Sequence, residues 1–201
     1  MGRKTVEVPS YEIEEAIALD PRTSAVLVVD MQRDFVDPEG ALPVPGAPET
    51  VPRIARLLEL ARAARMTVLF SQDTHREGDP EWEIWGRHVE RGTPGWEIVP
   101  ELAPRPDELV FEKTRYDAFY GTSLDHELRL RGIETLVVCG TVANICVHYT
   151  AASAALRWYR VVHPVDALSA LDPFDLESSL RQATFLFGAR LTTVDGLRLT
   201  A

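Results

Sequence analysis

Short, wholly apolar stretches alternate along this chain with longer segments in which apolar positions recur every three or four residues. The short stretches are rich in Val, Leu and Ile, which favours strands buried on both faces of a sheet. The longer segments are typical of amphipathic helices. Strands are therefore predicted at residues 25–29, 67–71, 109–111, 137–139, 160–163 and 191–194, and helices at residues 12–18, 51–65, 123–131, 146–158 and 173–187.

Regular alternation of strands and helices predicts an α/β fold. We expect an open, mostly parallel sheet with helices on both faces, a three-layer Rossmann-like arrangement joined by right-handed crossovers. Residues 1–201 are expected to form a single domain, in which residues 1–22 are a polar lead-in. Two segments lack a regular period, residues 37–48 with four prolines and residues 72–106 with three tryptophans, and both are predicted to be loops.

Charge and composition narrow the classes of function. Thirty-one acidic and 21 basic side chains give a net charge of −10, which argues against a nucleic acid or an anionic membrane as the main partner. The sequence contains no secretory signal and no apolar run of membrane-spanning length, so a cytoplasmic protein is expected. The two cysteines, Cys139 and Cys146, are poorly placed for a structural disulfide.

Reactive residue types follow several predicted strands. Asp30, Asp73, Lys113 and the turn leading to Cys146 all come just after an apolar run. Because the carboxyl ends of parallel strands share one edge of a sheet, where ligands bind in such folds, these residues are expected to lie close together. Cys146 is predicted in the first turn of a helix, where the thiol pKa is lowered and backbone N–H groups can hold an oxyanion.

Asp30, Lys113 and Cys146 together can form an acyl-transfer site. The carboxylate would act as general base for the thiol and then as acid for the departing amine, while the lysine stabilises the thiolate. Each residue also has a purely structural interpretation: the aspartate can cap a loop, the lysine can be a solvated charge, and the cysteine can pack against the sheet. Four reactive residues at four strand ends favour the catalytic interpretation.

Three blocks of this sequence resemble the signature blocks of the isochorismatase-like cysteine hydrolases, the superfamily that contains nicotinamidase. They are Val-Val-Asp-Met-Gln-Arg-Asp-Phe at 28–35, Phe-Glu-Lys-Thr-Arg-Tyr-Asp-Ala-Phe at 111–119 and Gly-Thr-Val-Ala-Asn-Ile-Cys-Val at 140–147. The resemblance implies that Asp30, Lys113 and Cys146 are the catalytic triad and that the N–H groups of Val142 and Cys146 form the oxyanion hole. It also implies a cis peptide between Thr141 and Val142, and a homo-oligomer.

A metal site is a further expectation. Asp73, His75 and His88 are suitable ligands for Zn²⁺, with Mn²⁺ or Fe²⁺ as alternatives, although the pattern alone also fits ordinary surface residues. The resemblance supports the metal, because nicotinamidases carry a similar Asp-x-His and a later His in a Trp-x-x-His segment. By the same resemblance, Phe35 and Trp85 would sandwich the substrate ring. No organic cofactor is expected.

By the family resemblance, true isochorismatases lack a cysteine at this position, so Cys146 favours hydrolysis of an amide. Three functions are considered, and the first, which is the one predicted, is hydrolysis of nicotinamide to nicotinate and ammonia through a thioester intermediate. The second is metal-free hydrolysis of another small amide of the ureidoacrylate or carbamoyl type, which the residues around Lys113 and before Cys146 resemble. The third is a catalytically silent member of the fold that acts as a binding module.

Overall fold

The computed structural model describes residues 5 and 7–200; residues 1–4 and 6 of the lead-in lie outside the described part of the chain, as does residue 201. Nine strands lie within the described residues. They are β1 Ile17–Leu19, β2 Ser24–Val29, β3 Thr67–Asp73, β4 Leu109–Lys113, β5 Thr135–Thr141, β6 Arg160–Pro164, β7 Leu168–Ser169, β8 Arg190–Thr192 and β9 Leu197–Leu199.

The main sheet has seven strands, and every strand pairing in it is parallel. Its order is β4-β3-β2-β5-β6-β8, with the short β7 paired to β5. All six residues of β2 and all seven of β5 are buried, as expected for central strands covered on both faces. The predicted open parallel α/β sheet is therefore confirmed.

Helices cover the sheet. They are α1 Arg33–Val36, α2 Ala47–Ala63, α3 Trp82–Trp85, α4 Leu124–Leu130, α5 His148–Leu156 and α6 Pro173–Phe187. The predicted start of α6 at residue 173 is confirmed. The Asp172 side chain caps the helix by accepting a hydrogen bond from the Phe174 N–H, and proline occupies the first position. Helix α2 contacts β2, β3 and β5, and α5 contacts α6 and β6.

Three sequence predictions about secondary structure are wrong. Residues 12–18 do not form a helix; instead β1 pairs in parallel with β9. Strand β9 was not predicted, because it is short and contains no continuous apolar run. Helix α2 begins at Ala47, inside the segment predicted as a loop, because Gly46 takes a left-handed conformation and Pro48 fits the first helical turn. The helix predicted from residue 146 begins instead at His148, after a separate turn described below.

No helix among residues 5 and 7–200 is long and apolar enough to cross a membrane.

Candidate active site

Three strand ends bring the predicted triad together. Asp30 follows β2, Lys113 ends β4, and Cys146 lies in the turn after β5; all three are buried. The Lys113 Nζ lies 2.7 Å from Asp30 Oδ2 and 3.5 Å from Cys146 Sγ. The same Nζ lies 3.0 Å from Asp73 Oδ1, at the end of β3. One buried cation thus links two carboxylates to the thiol.

The backbone around β2 and β5 is shaped to make this contact possible. Gly140 has φ +113°, and a Cβ at this position would overlap the backbone of Val29 on the neighbouring strand. Asp30 itself has φ +51°, a left-handed conformation that aspartate tolerates better than most residues. The peptide between Thr141 and Val142 is cis, as the family resemblance implies. Glycine therefore lets β5 approach β2 closely just before the cysteine.

Cys146 lies in a π-helical turn, Ala143–Val147, rather than in the first turn of an α-helix. The expected lowering of its pKa is wrong: burial raises the pKa of the Cys146 thiol well above its usual value, the negative charges of Asp30 and Asp73 raise it further, and Lys113 only partly opposes them. The resting group is therefore a neutral thiol, which requires a base before it can act as a nucleophile.

The surrounding charges show which group is suited to accept that proton. Burial raises the pKa of Asp30, and Lys113 offsets this only in part. Burial acts in the same direction on Asp73, but Lys113 and His75 outweigh it and lower the pKa of Asp73 to about 2. Although burial disfavours its charge, Lys113 has a strongly raised pKa because Asp30 and Asp73 face it. Asp73 and Lys113 therefore remain charged, and Asp30 is the group placed to exchange a proton.

The three expected metal ligands, Asp73, His75 and His88, also come together, and Glu81 joins them. One ligand atom from each of the four lies within 4.8 Å of the others, and all four side chains are buried. The His75 Nε2 lies 3.2 Å from Asp73 Oδ2 and 3.8 Å from Glu81 Oε1. Glu81 was not predicted, because its position six residues after one histidine and seven before the other follows no recognisable ligand spacing.

The hydrogen bonds of the two histidines fit a cation in this cluster. His88 Nδ1 lies 2.8 Å from the Gly86 carbonyl, which can only accept, so this nitrogen is assigned the proton and Nε2 faces the cluster as a lone pair. His75 Nδ1 lies 3.0 Å from Asp79 Oδ2, which fixes the same tautomer. The buried His75 Nε2 faces Asp73 Oδ2 and, although burial opposes it, Asp73 raises the pKa of His75 when no cation is bound. A divalent ion such as Zn²⁺ would displace that proton, and two neutral imidazoles with two carboxylates would then suit it as ligands.

Gln32 is a second residue that the sequence did not indicate. Its buried amide accepts from the Asp73 N–H and donates to the Asp73 carbonyl, each at 2.8 Å. In effect, this side chain continues the strand pairing between β2 and β3 beyond the end of β2. It thereby fixes the backbone of Asp73, whose carboxylate contacts both Lys113 and the histidine cluster.

A mostly apolar pocket is lined by Cys146 of the triad and by Asp73, Glu81 and His88 of the histidine cluster. Phe35 and Trp85, the residues predicted to hold a substrate ring, line it, and Trp85 Nε1 donates to the Tyr116 hydroxyl at 2.9 Å. Val142 and Cys146, the expected oxyanion-hole residues, lie on its wall as well. The full set of lining residues is Phe35, Leu42, Val44, Asp73, Glu81, Trp85, His88, Tyr116, Thr141, Val142, Ile145, Cys146 and Leu171.

Known proteins are similar to this chain in sequence or in structure. The ureidoacrylate amidohydrolase RutB of Caulobacter vibrioides is 32% identical over 208 residues, covering 90% of this chain and 92% of the relative. The crystal structure of N-carbamoylsarcosine amidase from Thermoplasma acidophilum matches with a TM-score of 0.79 at 38% identity, over 86% of this chain and 97% of that one.

A third similar protein is the pyrazinamidase of Pyrococcus horikoshii, whose structure was determined in complex with zinc. It matches with a TM-score of 0.81 at 29% identity, over 85% of this chain and 99% of that one. The family model that describes the isochorismatase domain matches residues 24–196. Since that match spans most of the chain, and relatives of this similarity are amidohydrolases, the protein belongs to the isochorismatase-domain family and is a hydrolase of amide bonds.

Proposed function

We propose that this chain is a cysteine amidohydrolase acting on a small ureido or carbamoyl amide. The observation that carries the proposal is the buried network in which Lys113 joins Asp30 to Cys146 at the wall of a pocket. Support for the substrate class comes from similarity to ureidoacrylate amidohydrolases and to N-carbamoylsarcosine amidase. The sequence analysis predicted nicotinamide as the substrate and gave this class as the alternative, and the similarity to these relatives favours the alternative.

In the proposed reaction, Asp30 takes the proton of Cys146 as the sulfur attacks the carbamoyl carbon of R–NH–CO–NH₂. The N–H groups of Val142 and Cys146 are assigned to the oxyanion that forms. The C–N bond to the terminal nitrogen then breaks, and ammonia leaves with the proton from Asp30. Water attacks the remaining thiocarbamate, R–NH–CO–S–Cys146, passing one proton through Asp30 to the sulfur, and R–NH–COOH is released.

Lys113 has an electrostatic role in this scheme. Its ammonium group lies between Asp30 and Cys146, so it stabilises negative charge on whichever of the two is deprotonated. Glu81 supplies a second feature suited to a ureido substrate, because its buried carboxylate lines the pocket and can accept hydrogen bonds from N–H groups. Burial raises the pKa of Glu81 because its negative charge is poorly solvated there. Hydrogen bonds from substrate N–H groups would stabilise that charge.

Nicotinamide is the second candidate substrate. It is favoured by the cluster of Asp73, His75, Glu81 and His88, which would hold a divalent ion, and by the aromatic side chains of Phe35 and Trp85 on the same pocket. When bound, such an ion supplies an electrophilic site for a substrate lone pair, such as the pyridine nitrogen. Zn²⁺ is the first choice of ion, since the Pyrococcus pyrazinamidase was crystallised with zinc.

Ammonia release distinguishes the candidates. N-carbamoylsarcosine, ureidoacrylate and nicotinamide are each offered to protein stripped with a chelator and to protein refilled with Zn²⁺, Mn²⁺ or Fe²⁺. Turnover of a ureido substrate by stripped protein supports the first candidate, and nicotinamide turnover that needs metal and disappears in His88→Ala supports the second.

Two variants test whether the thiol carries the chemistry. Cys146→Ala should abolish ammonia release, whereas Cys139→Ala, at a buried position in β5 away from the pocket lining, should retain it. No ammonia from any of the three substrates in any metal state would contradict both proposed substrate classes.

The homo-oligomer implied by the resemblance is also part of this proposal. Leu156, Trp158 and Leu186 are strongly exposed, and all three line one groove of about 860 Å³ beside α5 and α6. Exposed apolar side chains grouped in this way are typical of protein interfaces. Light scattering should show an assembly of two or more chains that Trp158→Glu shifts towards the monomer; a monomeric wild-type protein would contradict it.

A further inference from the structure

The carboxylate of Asp34 accepts hydrogen bonds from two loops that line the pocket. Asp34 has no role in the proposed chemistry. Its Oδ1 accepts a hydrogen bond from the Ala41 N–H at 3.1 Å, in the loop that carries Leu42 and Val44. Its Oδ2 accepts one from the Val89 N–H at 2.7 Å, directly after His88. Both loops therefore depend on one side chain for their position.

The second of these contacts holds an unusual backbone conformation. Val89 has φ +37°, which is rare for any residue except glycine and especially unfavourable for a β-branched one. Such a conformation persists only where its surroundings impose it. Val89 is fully buried, its N–H donates to Asp34, and its carbonyl accepts from the His75 N–H at 3.1 Å. The direction in which the chain presents His88 is thus fixed from both sides.

Gly95 gives independent support for this arrangement. A Cβ built on Gly95 would overlap the carboxylate of Asp34, so only glycine leaves room for that group in its present position. The φ angle of Gly95 is not in the left-handed region, so alanine would be tolerated by the backbone itself. The steric demand at Gly95 therefore arises from the Asp34 carboxylate.

We propose that Asp34 is a positioning residue whose carboxylate, through Val89, sets the place of the His88 ring in the pocket. The inference rests on the proposed function in one respect only: the place of the His88 ring matters for activity if the pocket is the substrate site. Asp34 does not touch the triad, so the thiol network should be independent of it. An asparagine in place of Asp34 would be close in size but has one acceptor oxygen, and its NH₂ group would face a backbone N–H. Asp34→Asn therefore loses one of the two hydrogen bonds.

The direct test is the ring resonance of His88 in isotope-labelled, metal-free protein at pH 8, assigned by its loss in His88→Ala. Asp34→Asn should shift this resonance, and Asp37→Asn should not, because Asp37 lies in the same segment but its side chain pairs with Arg33, four residues before it. The rate of Cys146 alkylation by iodoacetamide should stay within about twofold of wild type in both variants. For whichever amide is hydrolysed, Asp34→Asn should raise KM about tenfold with a smaller change in kcat.

A double-mutant cycle gives the second test and also serves if Asp34→Asn fails to fold. Gly95→Ala alone should shift the His88 resonance in the same way, since the added methyl displaces the carboxylate. In an Asp34→Ala background the same change at Gly95 should have no further effect. An unmoved His88 resonance in both single variants, or an undiminished effect of Gly95→Ala without Asp34, would overturn the inference. The His88 resonance is measured without substrate or metal, in the single variants and in the double-mutant cycle alike. A negative result there is therefore distinct from a failure of the proposed function.

Discussion

Replacing Lys113 by Met should expose how strongly the site depends on one buried cation. Lys113 is 1% exposed and lies 2.7 Å from Asp30 and 3.0 Å from Asp73, both of which are also buried. Methionine keeps most of the length of the side chain but removes the positive charge that both carboxylates face. Removing one partner of a buried ion pair typically costs about 3–5 kcal/mol. Against a total stability of about 5–15 kcal/mol, the variant should be only marginally folded at pH 8.

The pH dependence of this loss has a definite sign. In the wild type the lowered pKa of Asp73 contributes stability above the unfolded value of about 4, and this is lost as pH falls through about 2. Without Lys113, burial and the charge of Asp73 raise the pKa of Asp30 further above its unfolded value, while Asp73 keeps His75 as a partner. Protonation of Asp30 then relieves the folded state as pH falls, so the deficit of Lys113→Met should be smaller at pH 5 than at pH 8.

Urea denaturation followed by tryptophan fluorescence, with chelator present at both pH values, measures this deficit. Arg22→Met is the matched control, because Arg22 pairs with Asp20 at the surface and its side chain is 81% exposed, so its loss should change stability by less than about 0.5 kcal/mol. The double variant Lys113→Met with Asp73→Asn should recover part of the loss. A deficit below about 1 kcal/mol at pH 8, or one that grows towards pH 5, would refute the reasoning.

Three further predictions concern the neighbourhood of the site. Gly140→Ala should destabilise the protein by about 3 kcal/mol or more in urea, because the methyl meets Val29, whereas Gly188→Ala, with φ +63° in open space, should cost about 1 kcal/mol; equal losses would contradict this. Because burial raises the pKa of Cys146, its alkylation in native protein should keep accelerating above pH 8.5, and mass spectrometry should find Cys139 unmodified; a plateau below pH 8 would be inconsistent with the raised pKa. Glu81→Gln should weaken Zn²⁺ binding at least tenfold in chelator competition, while the exposed Glu77→Gln should not, and equal affinities would remove Glu81 from the ligand set.

Much of the framework could be predicted because its causes are local. The apolar run of β2 and the Asp172–Pro173 start of α6 are readable from a few adjacent residues, and the parallel sheet follows from their alternation. The convergence of Asp30, Lys113 and Cys146 followed from the rule that parallel strands end at one edge. Their catalytic roles rest on that geometry and on the family resemblance, and stay predictions.

The parts that could not be predicted depend on distant neighbours. Glu81 joins the histidine cluster through the path of a long irregular loop, which no sequence period describes. The pKa of Cys146 was misjudged because the helix-start argument considers backbone dipoles, whereas full burial between Asp30 and Asp73 decides the outcome. Strands β1 and β9 are three residues each and gain their conformation only by pairing with each other.

That last pairing also bears on how the chain is assembled. Ile17 of β1 lies beside Leu197 of β9, so the partners are separated by about 180 residues of intervening chain. Contacts so far apart in sequence require most loop entropy to be lost before they form, and they slow folding when they are needed early. During synthesis, β1 leaves the ribosome long before its partner exists. Strand β8 of the main sheet ends at Thr192, just before β9 begins at Leu197. The pairing of β1 with β9 and the completion of the main sheet by β8 therefore both wait for the same late-synthesised stretch of chain.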